Sequence, residues 1–390
     1  VHVSVDAFDV RTESGEATPT GVPLFAASQV EQAVVLGREA QQAWIARPPR
    51  ERFRLLRGLS AVMHRRSDDI AAAVRAETGK PPAEALTEVV VSVDLIRFYA
   101  AKAPRHLRPR RIRPGWMLWK SAWVGRAPYG VVGAITPWNY PFILPMDCVT
   151  PAIFAGNAVV IKPSELTPGV ALLIPELCRE AGLPEGLVQV VTGDGDTGRA
   201  LVDSSIDRLV FTGSTRTGKQ IMAAAAKRLT PVTLELGGKD AAIVLEDADV
   251  ERAARGVVFG ALFNAGQTCL SIERIYVARG VHDEFVRRVV SLVEDLRVGD
   301  EADVDVGPLV TDAQVDVVER HVRDALEKGA RVLAGGRRQD PGSSVFLPTV
   351  LVGVDDTMDV VSEESFGPLL PIMAFEDDED AVRRCNESGN

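Results

Sequence analysis

The sequence predicts an α/β protein with two parallel-sheet domains and a two-stranded arm, and three observations carry that prediction. From Gly130 onward, apolar runs of strand length alternate with helix-like segments, the pattern of a parallel sheet covered on both faces. A second alternation of the same kind starts near Ile275-Tyr276-Val277. Ahead of both, residues 27–104 carry their apolar residues at helical spacing. At 390 residues the chain is long enough to build more than one core.

Taken in order, Val30, Ala33, Val34, Leu36 and Gly37 open the first helix, and Arg52 to Ile70 reads as an amphipathic helix on Phe53, Leu55, Leu56, Leu59, Val62 and Met63. Gly79, Pro81 and Pro82 end a helix, and another runs to about Ala103. Ile112 to Ala127, with Trp116, Met117, Trp119 and Trp123 among basic residues, suggests the arm. Strands are expected at Val131–Ile135, Ala158–Ile161, Val188–Val191, Arg208–Phe211, Val232–Leu236 and Ala241–Leu245. Helices at about 281–297 and 311–328 and strands at Arg331–Leu333 and Thr349–Val352 complete the second alternation.

A formal charge of −10 argues against nucleic acid as a partner. Against that balance stands one basic cluster, Arg105, His106, Arg108, Arg110, Arg111 and Arg113. With no aromatic residue between the arginines, it reads as a solvated, proline-threaded connection and not as an anion-binding patch. No apolar run is long enough to span a bilayer, so no membrane partner is expected. Val1 to Asp6 lacks the basic-then-apolar character of a secretory signal. Cys148, Cys178, Cys269 and Cys385 lie far apart without metal-ligand spacing, which points to reduced thiols in a cytoplasm and to no metal site.

Three segments carry chemistry. Glu235-Leu236-Gly237-Gly238-Lys239 ends an apolar run with a carboxylate, followed by two glycines that let the backbone turn sharply. A glutamate between Leu234 and Leu236 is expected to be partly desolvated, and so a better base. Phe263-Asn264-Ala265-Gly266-Gln267-Thr268-Cys269 offers a thiol, a nucleophile that needs a partner to manage protons. Thr136-Pro137-Trp138-Asn139-Tyr140-Pro141 offers an uncharged amide, able to hold a developing alkoxide at any pH. Alone, each has a plainer reading: an edge-strand residue facing water, a buried small hydrophobe, a turn asparagine. Together and in this order they closely resemble the signature motifs of the aldehyde dehydrogenase superfamily, and the resemblance runs from about residue 7 to the last residue.

The resemblance implies an aldehyde dehydrogenase-like fold. Residues 1–111 and 130–238 would form a dinucleotide-binding domain, 112–129 an oligomerisation arm and 239–390 a catalytic domain. It implies Cys269 as the nucleophile that forms a thiohemiacetal and then a thioester. Asn139 and the Cys269 backbone N–H would form the oxyanion hole, Glu235 would activate the hydrolytic water, and Lys162 would belong to the same catalytic set. The cofactor implied is NAD, with NADP possible. Phe211 to Lys219 follows a strand and opens a helix, with Gly213 and Gly218 in place of the usual G-x-G-x-x-G spacing, and the helix amides and Ser214 hydroxyl suit a pyrophosphate.

Further cofactor contacts follow from the same resemblance. Lys162, Ser164 and Glu165 fall at the adenosine ribose, where a glutamate accepts from both hydroxyls but repels a 2′-phosphate, which favours NAD. Ile135, Thr136, Pro137, Trp138 and Leu236 complete the dinucleotide contacts. In Glu363-Glu364-Ser365-Phe366-Gly367-Pro368, Glu364 would hold the nicotinamide ribose and Phe366 would back the ring. Tyr140, Leu144, Phe263, Thr268 and Leu270 would line the tunnel of a small-molecule aldehyde, and their apolar or weakly polar character suits an aliphatic or aromatic substrate.

Cys269 to Arg274 resembles a subgroup of succinate-semialdehyde dehydrogenases, yet no arginine or group of hydroxyls for a semialdehyde carboxylate stands in the pocket motifs. Glu235 favours the free acid as product, because many acylating relatives that pass the thioester to coenzyme A lack it. An acylating enzyme and a non-catalytic dinucleotide-binding remnant are the alternatives. A homodimer or homotetramer is expected of the family. Relatives continue past the helix at Arg384 to Asn390 into a strand of the oligomerisation sheet. A chain without that strand is expected to associate irregularly, bind dinucleotide weakly and oxidise aldehydes poorly.

Overall fold

Two stretches rich in buried β-branched residues each seed a sheet, and helices pack against them. The structure, a computed structural model, describes residues 20–117 and 119–387. The amino-terminal segment read for a secretory signal and the last three residues lie outside the described residues. The chain divides into two units, one taking the described residues up to Glu77 and Leu86–Glu235, the other Thr78–Ala85 and Leu236 onward. No helix among the described residues is long and apolar enough to cross a membrane.

The amino-terminal helices are α1 (Ala27–Ala46), α2 (Pro49–Arg65), α3 (Ser67–Thr78) and α4 (Pro82–Leu107). The single helix expected over Arg52 to Ile70 is broken at Arg66, whose backbone leaves the helical region (φ −98°, ψ 14°). The Arg66 guanidinium then bonds the carboxylates of Asp69, Glu176 and Glu180, a fixed use for a residue that periodicity alone assigns to a helix face. The arm pairs β1 (Arg110–Ile112) antiparallel with β2 (Ala122–Val124), and its register sets Arg111 opposite Trp123. Arg110 and Arg111 therefore belong to a strand and not to a connection. The pairing also interleaves an exposed tryptophan with the arginines, which the linear sequence had argued against.

The first unit's sheet runs β5-β4-β3-β6-β7, built from β3 (Val131–Ile135), β4 (Ala158–Lys162), β5 (Val188–Val190), β6 (Arg208–Gly213) and β7 (Val232–Leu236). The pairings of β3 with β4 and β6, and of β4 with β5, are parallel. Every residue of β4 is buried, as expected for a strand covered on both faces. Helices α5 (Ile143–Ala155), α6 (Pro168–Glu180), α7 (Gly195–Asp203) and α8 (Thr215–Ala226) make the connections. The chain leaves β3 towards β4 and β5, then returns to β6 on its other side. That reversal puts the topological switch point at the carboxyl ends of β3 and β6, the place where doubly wound sheets bind ligands.

The second unit's sheet runs β10-β11-β12-β9-β8, from β8 (Asp240–Val244), β9 (Ile272–Ala278), β10 (Arg331–Ala334), β11 (Thr349–Val352) and β12 (Leu369–Phe375). β10 is an antiparallel edge and the other pairings are parallel. The segment at Ala241 thus joins the second sheet and does not extend the first. β12 has no counterpart among the expected strands, because Pro368 and Pro371 argue against one. It nevertheless sits between β11 and β9, buried at every position but Ala374. Helices α9 (Val250–Leu262), α10 (Arg279–Glu294), α11 (Asp312–Glu327), α12 (Asp359–Ser362) and α13 (Asp378–Asn386) complete the unit. Tyr276, Phe285, Phe346 and Phe375 lie fully buried in its core.

Candidate active site

In the first unit, the expected cofactor residues fall at the carboxyl ends of three adjacent strands. Ile135, Thr136, Pro137 and Trp138 end β3, Lys162, Ser164 and Glu165 end β4, and Gly213 and Ser214 lead from β6 into α8, which carries Gly218. The Thr136 N–H donates to the Lys162 carbonyl (3.1 Å) and ties two of these ends together. The Thr136 hydroxyl is buried and has no hydrogen-bond partner among the described residues. Lys162 is buried with its Nζ 3.4 Å from a Glu165 carboxylate oxygen. Burial pushes the Lys162 ammonium down, and Glu165 and Asp194 offset this only in part. Ser164 is also buried, its hydroxyl accepting from the Leu166 N–H. Ser214 is the N-cap of α8: its hydroxyl accepts from the Thr217 N–H (3.3 Å) and bonds the Thr217 hydroxyl (3.0 Å). The hydroxyl expected for a pyrophosphate is therefore already a cap, which leaves the first-turn amides as the anion donors.

Asn139 is buried in the turn that joins β3 to α5. Tyr140 lies half-buried in the same turn and Leu144 half-buried in the first turn of α5, where its N–H donates to the Tyr140 carbonyl. Phe142 offers no side-chain cap to α5. The buried Glu88 carboxylate on α4 supplies it, accepting from the N–H groups of Phe142 (3.0 Å) and Ile143 (3.1 Å). Glu88 was not singled out in sequence, where it is one acid in a helical run. Glu235 lies on the edge strand β7 with its side chain exposed, so the partial burial expected from its leucine neighbours is not met. Its charge still reaches Cys148, a thiol pushed up to about 12 by burial and then by Asp147 and Glu235. Burial alone pushes Cys178 up to about 12.

In the second unit, α9 ends in a 3-10 turn at Phe263–Gly266 where Asn264 (φ 56°), Ala265 (φ 54°) and Gly266 (φ 74°) are consecutively left-handed. A non-glycine residue there costs roughly 1–2 kcal/mol, and alanine has no polar side chain to offset it. The turn is held from several sides. Glu84 accepts from the Asn264 N–H (2.8 Å), the Asn264 amide donates to the Gln267 carbonyl (3.0 Å), and the Gln267 amide donates back to the Asn264 carbonyl (3.0 Å). Gly266 is required because a Cβ would overlap the Gly367 carbonyl. Beyond the turn Thr268 is buried, whereas Cys269 and Leu270 are exposed. Phe263 is half-buried against Phe259, with ring centroids 5.4 Å apart.

Leu236, Gly237 and Gly238 follow β7's carboxylate, and here the sequence reading needs correcting. Neither glycine has a left-handed φ, so no sharp turn calls for them. What excludes a side chain is space: a Cβ on Gly237 would overlap the Glu364 carboxylate, which accepts from the Gly238 N–H. Burial, and then the charge of Glu273, push the Glu364 carboxyl up. Glu364 and the left-handed Phe366 (φ 49°) flank Ser365. Sequence reasoning also missed the buried network behind them, in which Lys239 lies 2.5 Å from Glu273 and 3.1 Å from the Ser365 hydroxyl. Glu273 in turn accepts from the N–H groups of Ser365 (2.7 Å) and Phe366 (2.9 Å). The Arg274 guanidinium donates to the carbonyls of Lys239, Arg384 and Cys385.

A family profile described as "Aldehyde dehydrogenase family" matches residues 3–389. The chain is 40% identical over 369 residues to 4,4'-diapolycopene aldehyde oxidase of Methylomonas sp, covering 94% of this chain and 69% of that protein. It is 38% identical over 387 residues to succinate-semialdehyde dehydrogenase (NADP(+)) GabD of Escherichia coli strain K12, covering 98% and 80%. Among solved structures it is similar to the NAD+ complex of an aldehyde dehydrogenase from Bacillus cereus, with a TM-score of 0.90 and 33% identity over 94% of this chain and 76% of that one. The motifs, the two sheets and these likenesses agree, and the chain belongs to the aldehyde dehydrogenase family.

Proposed function

We propose that this chain oxidises an aldehyde to the carboxylic acid, with NAD as the hydride acceptor. The first unit is the dinucleotide-binding part and the second carries the nucleophile. The observation that supports Cys269 as that nucleophile is its contrast with the other thiols. It is exposed three residues beyond a strained turn, whereas Cys148 and Cys178 are buried and pushed up to about 12 and Cys385 is half-buried and also pushed up. The Cys269 thiolate adds to the carbonyl carbon, and the Asn139 amide and the Cys269 backbone N–H donate to the oxygen that becomes negative. A bound nicotinamide supplies the acceptor for the hydride. Glu235 then takes a proton from the water that cleaves the Cys269 thioester, and its exposure on the edge strand keeps it in contact with solvent.

The fit of a dinucleotide to the first unit rests on the buried Thr136 hydroxyl, without a partner among the described residues, and on Lys162, a buried cation with the Glu165 carboxylate 3.4 Å away. Glu165 is only half-buried, and a carboxylate there accepts from ribose hydroxyls and repels a 2′-phosphate, which supports NAD over NADP. For the substrate, Tyr140, Leu144, Phe263 and Leu270 support an apolar aldehyde. Arg274 is spent on backbone carbonyls and offers no carboxylate anchor, which weighs against the semialdehyde that several relatives are named for. The test is Cys269→Ala. Oxidation of hexanal and of succinate semialdehyde should both vanish while NAD still binds, more tightly than NADP, by fluorescence titration. Turnover within a few-fold of the parent would sink the assignment.

A further inference from the structure

We propose that Glu273 is a positioning residue that holds the Glu364–Phe366 loop in register with the turn that presents Cys269. This role rests on the reading given above for Glu364, Phe366 and Cys269. One buried carboxylate takes three donors: the Lys239 ammonium and the successive backbone N–H groups of Ser365 and Phe366. Ser365 is held at every polar atom. Its N–H goes to Glu273, its carbonyl accepts from the Gln314 amide (2.7 Å), and its hydroxyl contacts Lys239 (3.1 Å) and His321 Nδ1 (3.0 Å). The next residue, Phe366, has the left-handed φ of 49° that a bulky side chain adopts only when its surroundings impose it.

Two consequences follow from this grip. On one side of Ser365, the Glu364 carboxylate fits where Gly237 has no Cβ. On the other, the Gly367 carbonyl fits where Gly266 has none, and Gly266 is the last residue of the left-handed turn ahead of Cys269. A shift of residues 364–367 would therefore press directly on the nucleophile's turn. A buried ion pair is a poor device for stability alone, since apolar residues of similar size often serve as well. What apolar residues cannot supply is a bidentate acceptor for two successive N–H groups of a strained loop.

The experiment compares Glu273→Gln and the double variant Lys239→Met/Glu273→Gln with the parent chain. Glutamine keeps one acceptor oxygen but not two, and the double variant removes the ammonium that the single one would leave buried and unpaired. Folding is checked by circular dichroism and thermal melting. In the folded double variant, NAD affinity should fall by about tenfold, the scale of one lost buried hydrogen bond. Saturating turnover should fall with it, while the KM for aldehyde stays near the parent value. The rate of alkylation of Cys269 by iodoacetamide should also change by several-fold, and this readout needs neither dinucleotide nor turnover. A folded double variant with parent-like NAD affinity and alkylation rate would overturn the proposal. If the parent itself neither bound NAD nor oxidised aldehydes, the functional reading would fall, and the alkylation comparison alone would decide whether Glu273 positions the Cys269 turn.

Discussion

His321 shows how much a single buried side chain in this fold has at stake. It is fully buried against Ser365, and burial, with the charges of Lys239 and Arg320, pushes its imidazole down from the ordinary 6.5 to about 4. Between those values the unfolded chain binds a proton that the folded chain does not. The contribution to stability is whole above pH 6.5 and is lost as the pH falls towards 4, in total on the order of 3 kcal/mol. Glu77 and Glu364, whose carboxyls burial pushes up, act in the opposite direction over acidic pH. The measurement is therefore a difference: urea melts of the parent and of His321→Gln between pH 7.5 and 4.5. The parent should lose stability relative to the variant as the pH falls, and a pH-independent difference would contradict this. His321 also marks the limit of legibility at this scale. Cys269 and Asn139 stand in contiguous motifs and could be named from sequence. Glu84, Glu88, Glu273 and His321 act on backbone or side-chain groups 44 to 180 residues away, and no local pattern marks such partners.

Elements that alternate plainly were legible, and those whose sequence contradicts their place were not. β3, β7 and β11 run where the apolar pattern put them. β12 was hidden by Pro371 within it and Pro368 just ahead of it, and the α2–α3 break by an unbroken amphipathic pattern, because both are imposed by neighbours the sequence does not show. The start of α5 is a further case. Its first N–H groups are satisfied by Glu88 on another helix, so the helix and the Asn139 turn ahead of it share one anchor. Glu88→Ala would leave one buried and one part-buried N–H without this acceptor, at a cost of about 1–3 kcal/mol for the buried one before relaxation. Thermal melting should show a lowered midpoint, and aldehyde turnover should fall further than NAD binding, because Asn139 precedes this helix and the strand ends do not depend on it. Glu88→Gln keeps an acceptor and should lie between parent and alanine. Equal melting of all three would show that α5 is capped by other means.

Across the whole chain, charge and apolar surface are unevenly placed: basic residues gather on the end of α4 and on the arm, and the arm also exposes three tryptophans. The net charge is −10, yet the sequence between Asp94 and Asp147 holds nine lysines and arginines and no acid, so the remainder is more acidic than the total. Trp116, Trp119 and Trp123 are 77%, 70% and 64% exposed on the same hairpin, the first two in edge-to-face contact with centroids 5.7 Å apart. A two-stranded hairpin is marginal alone, and its edges and indoles are the kind of surface that another chain covers. A second copy offers the complementary charge, because its remaining surface is acidic. We therefore expect self-association through the arm, driven by the indoles and steered by charge, so that it weakens with salt without disappearing. Light scattering on a size-exclusion column should report an oligomer for the parent and a smaller species for Trp116→Ser/Trp119→Ser at the same concentration. An unchanged mass in the variant would place the interface elsewhere, and leave the basic arm without the partner proposed for it.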